Sequence, residues 1–237
     1  MRKYVPVKDI TKEVGDRRVI AVGDIHGCFD EFQEGLAQLN YKAGEDILIS
    51  LGDLIDRGPK SFETVLFFMT TPLTYVLYGN HDERFARWLR GNKVSTTTHG
   101  MPETLESFKK AGVTDYGKFF GFFISLPYII KYKDNYFVHA GFYPSRKPEE
   151  QTREDCIFMR FTGGRDYFDK ENGRYWFDLL PTDYPKVFFG HEVFFNDHKF
   201  ANCTSLDGGC VFGGKLRFWD FRTDSLLEVQ AKKTYSV

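Results

Sequence analysis

The sequence predicts an α/β fold, a mainly parallel sheet covered by helices that gives way to a β-rich second half. Three observations carry this expectation. A short apolar run ending in Gly-Asp or Gly-Asn and followed by a stretch at helical spacing occurs three times in the first 90 residues. The later part of the chain holds several short apolar runs separated by turn residues. The 237 residues, 42% of them hydrophobic, suffice to bury one core, and no solenoid-length repeat or low-complexity linker divides them. A single domain over residues 1–237 is expected.

Taken in order, the polar leader is followed by the run Val19 to Val22, which stops at Gly23-Asp24; Phe29, Phe32, Leu36 and Leu39 then recur at helical spacing. Ile47 to Leu51 ends in Gly52-Asp53 and precedes a helical stretch from Ser61 to Met69. Tyr75 to Leu77 ends in Gly79-Asn80 and precedes Glu83 to Leu89. Pro102 to Ala111 and Gly117 to Leu126 have helical period, with Pro102 suited to a first turn. Tyr128 to Tyr132 and Tyr136 to Val138 flank Lys133-Asp134-Asn135, which reads as a hairpin turn. Lys186 to Phe189, Cys203 to Leu206, Leu216 to Phe221 and Leu226 to Gln230 complete the strands. Residues 144–183 have weak periodicity and read as a long irregular excursion with short helices that covers the site.

Composition narrows the function. Lys plus Arg at 32 nearly cancels Asp plus Glu at 33, which leaves no general basic field for dedicated nucleic-acid binding. The 25 phenylalanines are spread from Phe29 to Phe221 and read as core. No apolar run reaches the ~18 residues that span a bilayer, and the N-terminus is too polar for a signal peptide, so no membrane association and a cytoplasmic location are expected. Cys28, Cys156, Cys203 and Cys210 lack CxxC spacing and read as reduced thiols.

Five apolar strands end in a residue able to hold a metal: VIAVGDIHG, LISLGDLIDRG, YVLYGNHDE, YFVHAG and VFFGHE. In open α/β sheets ligands gather past the carboxyl ends of the strands, where a glycine lets the backbone turn and aim the next side chain into the crevice. Asp24 and Asp53 are 29 residues apart, and Asp53 and Asn80 27, each close to one β-α-β unit of ~30 residues. A Gly-Asp taken alone is a turn or a helix cap, and a lone strand-end histidine is a surface residue. Four of the six histidines share this context with two Gly-Asp pairs and one Gly-Asn-His. Together they define a candidate metal site of Asp24, His26, Asp53, Asn80, His139 and His191; His99 and His198 lack the context.

Carboxylate, imidazole and amide donors without thiolate suit two divalent transition-metal ions, Mn²⁺ foremost, with Fe or Zn also fitting. Six ligands exceed the needs of one four-coordinate ion. A metal pair ~3.5 to 4 Å apart can hold a hydroxide for attack on phosphorus and neutralise a transferring phosphoryl group, so phosphoester hydrolysis is expected. Arg57 is shaped to clamp phosphate oxygens. His81, beside Asn80, is placed to protonate the leaving oxygen, with Asp56 orienting its ring.

GDIHG, GDLIDRGP, GNHDE, VHAG and GHE, in this order, resemble the phosphoprotein phosphatase branch of the calcineurin-like metallophosphoesterases, in particular small bacterial and bacteriophage serine/threonine protein phosphatases. TLESF at 104–108, FMRF at 158–161 and SLDGGCVFGGKL at 205–216 extend the resemblance over residues 18–221. It implies a central β-sandwich flanked by helices in four α+β layers, with a dimetal site at the carboxyl ends of the strands. Asp24, His26 and a bridging Asp53 would hold one metal; Asp53, Asn80, His139 and His191 would hold the other. His81 would be the general acid supported by Asp56, and Arg57, Asn80 and Arg160 would contact the phosphate. The same branch contains enzymes that split symmetrical dinucleoside tetraphosphates, which resemble this chain in SLDGGCVFGGKL as much as the protein phosphatases do. Those enzymes often lack the Asp of DRG, present here as Asp56, so a phosphoprotein substrate is expected ahead of a nucleotide.

Overall fold

A computed structural model describes residues 3–163, 167 and 169–237. Val19–Val22 and Ile47–Ser50 are buried at every position, the pattern of strands covered on both faces. They pair in parallel, Val19 opposite Ile47, and Ile47–Ser50 pairs in parallel with Thr74–Val76. The helices Phe29–Gln38, Ser61–Thr70 and Asn80–Leu89 follow these strands in turn. On the other side of Val19–Val22 lies Lys215–Asp220, antiparallel to it and to Ser225–Gln230; Asp207–Gly208 extends this six-stranded sheet at the Lys215 end.

The single mainly parallel sheet expected from the strand-helix alternation resolves into two mixed sheets. The second runs Val7–Asp9, Ile129–Tyr132, Asn135–Val138, Lys186–Phe189, Cys203–Ser205 and Lys199–Phe200. The reason is burial. The first sheet has apolar side chains on both faces, one covered by helices and the other by this second sheet, whose Ile130, Phe137 and Phe188 meet Ala21, Ile49, Leu77 and Trp219 in a common inter-sheet core. This is the sandwich implied by the resemblance. Val7–Asp9, inside the leader treated as polar, is a three-residue strand with two exposed positions, too short to show a pattern.

Outside the first sheet, Phe32, Phe68, Phe85, Phe108 and Phe123 pack with the helices Met101–Lys110 and Gly117–Ile124; each such side chain contributes about 2 kcal/mol by leaving water. The other outer layer is the excursion. It holds the helix Arg153–Phe158, the two-residue ladder Phe161–Thr162 with Arg174–Tyr175, and a turn at Trp176–Leu179, seated through Ile157, Met159, Trp176 and Phe177. Asp155 organises it, accepting from Arg146, from Thr152 N and Oγ1 at 2.8 Å each, and from Tyr167. Residues 164–166 and 168 of the excursion lie outside the described residues. Among the described residues no helix is long and apolar enough to cross a membrane.

Candidate active site

All six predicted ligands sit just past the carboxyl ends of strands. Asp24 and His26 follow Val19–Val22, Asp53 follows Ile47–Ser50, and Asn80 opens the helix after Thr74–Val76. From the second sheet, His139 follows Asn135–Val138 and His191 follows Lys186–Phe189. The loops are strained. His26, Asp53, Asp56, Arg57 and His191 have φ of 46°, 50°, 73°, 70° and 67°, a region that costs a residue with a side chain about 1 kcal/mol or more. Of the glycines in these loops Gly27 and Gly52 turn as expected, with φ of 65° and 97°, and the candidate site residues share the turning with them. Gly79 and Gly190 serve proximity instead. A Cβ on Gly190 would lie 2.0 Å from Asp24 Oδ1, and one on Gly79 2.2 Å from Asp53 Oδ1.

Hydrogen bonds fix the ring orientations. His26 Nδ1 donates to Ile55 O (2.6 Å) and His139 Nδ1 to Leu51 O (2.9 Å). A carbonyl only accepts, so each Nδ1 carries the proton and each Nε2 presents its lone pair. His26 Nε2 accepts from Arg57 Nη1 at 2.6 Å and lies 3.5 Å from Asp53 Oδ2. His139 Nε2 lies 3.0 Å from Asn80 Oδ1 and 3.5 Å from Asp53 Oδ2. Three acceptors thus converge there. Asp24 Oδ2 accepts the His191 amide at 3.0 Å, whereas buried Asp24 Oδ1 has no hydrogen-bond partner among the described residues. The ligating atoms of Asp53, His139 and His191 lie within 4.8 Å of one another, as do those of Asp53, His26 and His81. Asp53 belongs to both groups, the place a shared carboxylate occupies.

Electrostatics point the same way. Burial, then Asp207 and Asp53, push the Asp24 carboxyl well up. Burial also pushes His26, His139 and His191 down, which keeps their rings neutral and able to ligate. For Asp53 burial acts upward, and any charge on His139, His81, His26 and His191 pulls the other way. Neutral imidazoles give that carboxylate little positive charge, so clustered buried acids and converging lone pairs together suit divalent cations.

The two residues expected to act as general acid and its support, His81 and Asp56, lie side by side. His81 Nδ1 is 2.6 Å from Asp56 Oδ2, and Thr104 Oγ1 donates to Asp56 Oδ1 at 2.6 Å. Arg57 and Arg160 line the same cleft, of about 470 Å³, with Asn80, His81 and His191. Arg160 Nε donates to His191 Nε2 at 3.1 Å and lies 3.0 Å from Glu192. His99, set aside for lack of a strand-end context, also lines the cleft.

Sequence reasoning missed three residues that shape this site. Asp82 accepts the amides of Asp53 (2.8 Å), Leu54 (3.1 Å) and Gly79 (3.2 Å), locking together the loops that carry Asp53 and Asn80; its position in GNHDE was its only signal. Thr104 stands in TLESF. Asp207 in SLDGG is buried, accepts Gly209 N at 2.9 Å, and is pushed up to about 6, chiefly by burial.

The fold and site define a metal-dependent phosphoesterase. The profile of the calcineurin-like phosphoesterases matches residues 17–195, three quarters of the chain, and the chain belongs to that family. It is 26% identical to an asymmetrical bis(5'-nucleosyl)-tetraphosphatase of Oceanobacillus iheyensis, over 92% of this chain and 94% of the relative. It is 33% identical to a symmetrical bis(5'-nucleosyl)-tetraphosphatase of Vibrio campbellii, over 82% and 92%. Serine/threonine-protein phosphatase 1 of Salmonella typhimurium is 29% identical, over 84% and 90%. A solved structure described as a candidate diadenosine tetraphosphatase superposes with a TM-score of 0.78 at 26% identity, covering 96% of this chain and 99% of the other.

Proposed function

We propose that the chain hydrolyses dinucleoside tetraphosphates at a centre of two divalent transition-metal ions, Mn²⁺ foremost. Asp24, His26 and Asp53 hold one ion in this reading; Asp53, Asn80, His139 and His191 hold the other. The observation that carries the substrate is the near full-length likeness, in sequence and in fold, to tetraphosphatases. This moves the weight from the phosphoprotein substrate expected on Asp56 to the nucleotide named beside it.

Bound metal ions supply an activated water and charge neutralisation for phosphoryl transfer. The chain's own groups do the rest. Arg57, beside His26, and Arg160, beside His191, hold the non-bridging phosphate oxygens and set the phosphorus for in-line attack. His81, its Nδ1 tied to Asp56, turns Nε2 toward the leaving oxygen and gives it a proton as the phosphorus–oxygen bond breaks. Asp56 holds that ring in place, and Thr104 fixes Asp56.

A second reading, a serine/threonine phosphatase, draws on the His81–Asp56 pair. A serine alkoxide needs a proton to leave far more than a nucleoside phosphate does, so a well-built acid favours phosphomonoesters. The test is hydrolysis of diadenosine tetraphosphate and of a phosphoserine/phosphothreonine peptide by metal-stripped, Mn²⁺-reloaded protein, with product chromatography. The expected result is a kcat/KM at least ~10-fold higher for the tetraphosphate. Two diphosphates report symmetrical cleavage, a triphosphate with a monophosphate the asymmetrical kind. Fast dephosphorylation of the peptide alone reverses the assignment.

A further inference from the structure

The cleft carries more positive charge than one phosphate needs. Besides Arg57 and Arg160, its walls include Arg84, Arg87 and Lys93, while among the described residues Glu83 is the one acidic residue that lines it. Glu83 is itself engaged by Arg153 Nη1 at 2.5 Å. The whole chain has a formal net charge of −1, so this excess is local to the cleft.

Its arrangement follows from the helix Asn80–Leu89. Positions 80, 84 and 87 are spaced i, i+4 and i+7 and share one face. A rise of 1.5 Å per residue sets Arg84 and Arg87 ~6 and ~10 Å along the axis from Asn80. One stripe therefore starts at the metal ligand and leads away from it as a row of cations. Arg84 is a brace: its guanidinium donates to Ser95 O (2.5 Å), Thr98 O (2.9 Å) and Thr98 Oγ1 (3.0 Å). It thereby holds the loop after the helix against the cleft. Lys93 leads into that loop and is exposed. Arg87, half exposed, has only a 3.9 Å contact with Glu83 among the ion pairs of the described residues.

We propose that Arg87 and Lys93, on a wall positioned by Arg84, bind the phosphates that follow the scissile one, so that the enzyme selects a polyphosphate chain over a monoester. The inference rests on the nucleotide reading above and names the residues that enforce it. A phosphorylated side chain brings one phosphate, which Arg57 and Arg160 already serve. A tetraphosphate brings three more, each an acceptor for charge-assisted bonds.

The test compares kcat/KM for diadenosine tetraphosphate with that for p-nitrophenyl phosphate in Mn²⁺-loaded wild type, Arg87→Ala, Lys93→Ala and the double variant. The ratio is expected to fall about tenfold in each single variant and about a hundredfold in the double, mainly through KM for the tetraphosphate. Arg87→Lys should restore part of the ratio. An unchanged ratio in the double variant, with the tetraphosphate still cleaved, overturns the proposal. Inorganic tripolyphosphate and orthophosphate, as competitive inhibitors of p-nitrophenyl phosphate hydrolysis, separate this failure from that of the nucleotide reading. If the wild type spares the tetraphosphate yet binds tripolyphosphate far tighter than orthophosphate, and the double variant loses that preference, the cationic arm stands and only the nucleotide reading falls. Equal inhibition by the two anions in the wild type overturns the arm.

Discussion

The two halves of the sandwich furnish the site in different ways. In the first, residues 19–89, each ligand-bearing loop belongs to a strand-loop-helix unit, and the loops are cross-tied: the Asp82 carboxylate takes three amides, and His81 N donates to Asp53 Oδ1 at 2.9 Å. In the second, His139 and His191 stand singly at strand ends, and Arg160 comes from the excursion, whose order depends on Asp155. The first half is a cross-tied frame for the candidate site; the second adds isolated groups and one wall of the cleft. Substitutions in the frame should therefore damage turnover, and substitutions in the excursion should damage stability first.

The largest effect is expected from Asp53→Asn. Both candidate ligand groups include this carboxylate, so on the proposed two-metal reading activity should fall by ~10³-fold or more and both metal equivalents should weaken together, read by metal analysis after dialysis. An active variant with two tightly held ions would remove the shared-carboxylate assignment. His81→Ala should lower kcat by ~10²- to 10⁴-fold on p-nitrophenyl phosphate with near-wild-type metal content, and less on diadenosine tetraphosphate, whose leaving group needs less protonation. Loss of metal in that variant would make His81 a ligand, a role its place beside His26 and Asp53 permits. Gly190→Ala drives a Cβ onto Asp24 Oδ1 and should weaken metal binding by ~10- to 100-fold, the one case where the second half disturbs the frame. Thr104→Val frees Asp56 and should cost about tenfold in kcat, with KM little changed. Asp155→Ala, at the excursion, should lower stability by ~3 kcal/mol, a fall in Tm of about 6 to 12 °C, while kcat at low temperature changes less than about threefold. A larger loss of kcat than of stability there would erase the contrast between the halves.

That contrast also decides what the sequence discloses. The clustering of the candidate strand-end residues was legible because a run such as Val19–Val22, closed by Gly-Asp, states both the strand and the turn locally. His139 and His191 were found by the same local grammar. Asp82, Thr104 and Asp207 act through partners 28, 48 or more residues away in sequence, or through the charge of their neighbours, and no local pattern marks such a role. The division into two sheets was hidden for a related reason. Four-residue apolar runs look alike whichever sheet they enter, and only the resemblance pointed to a sandwich. Arg160 in FMRF was named from resemblance alone, and the cations at 84, 87 and 93 look like an ordinary solvated face until the helix is seen to open at Asn80.

The candidate ligands come from both sheets, which has a mechanical consequence. Away from the site, Tyr132 of the second sheet and Phe221 beside the start of Val19–Val22 meet edge to face with ring centres 6.0 Å apart, a greasy joint that holds without ions. At the site end, acids and neutral imidazoles face one another with little to attract them. With cations seated as proposed, the molecule behaves as a clasped book, its spine apolar and its clasp ionic. Chelation should then raise amide hydrogen exchange at the carboxyl ends of Val19–Val22, Asn135–Val138 and Lys186–Phe189 while leaving their amino ends protected.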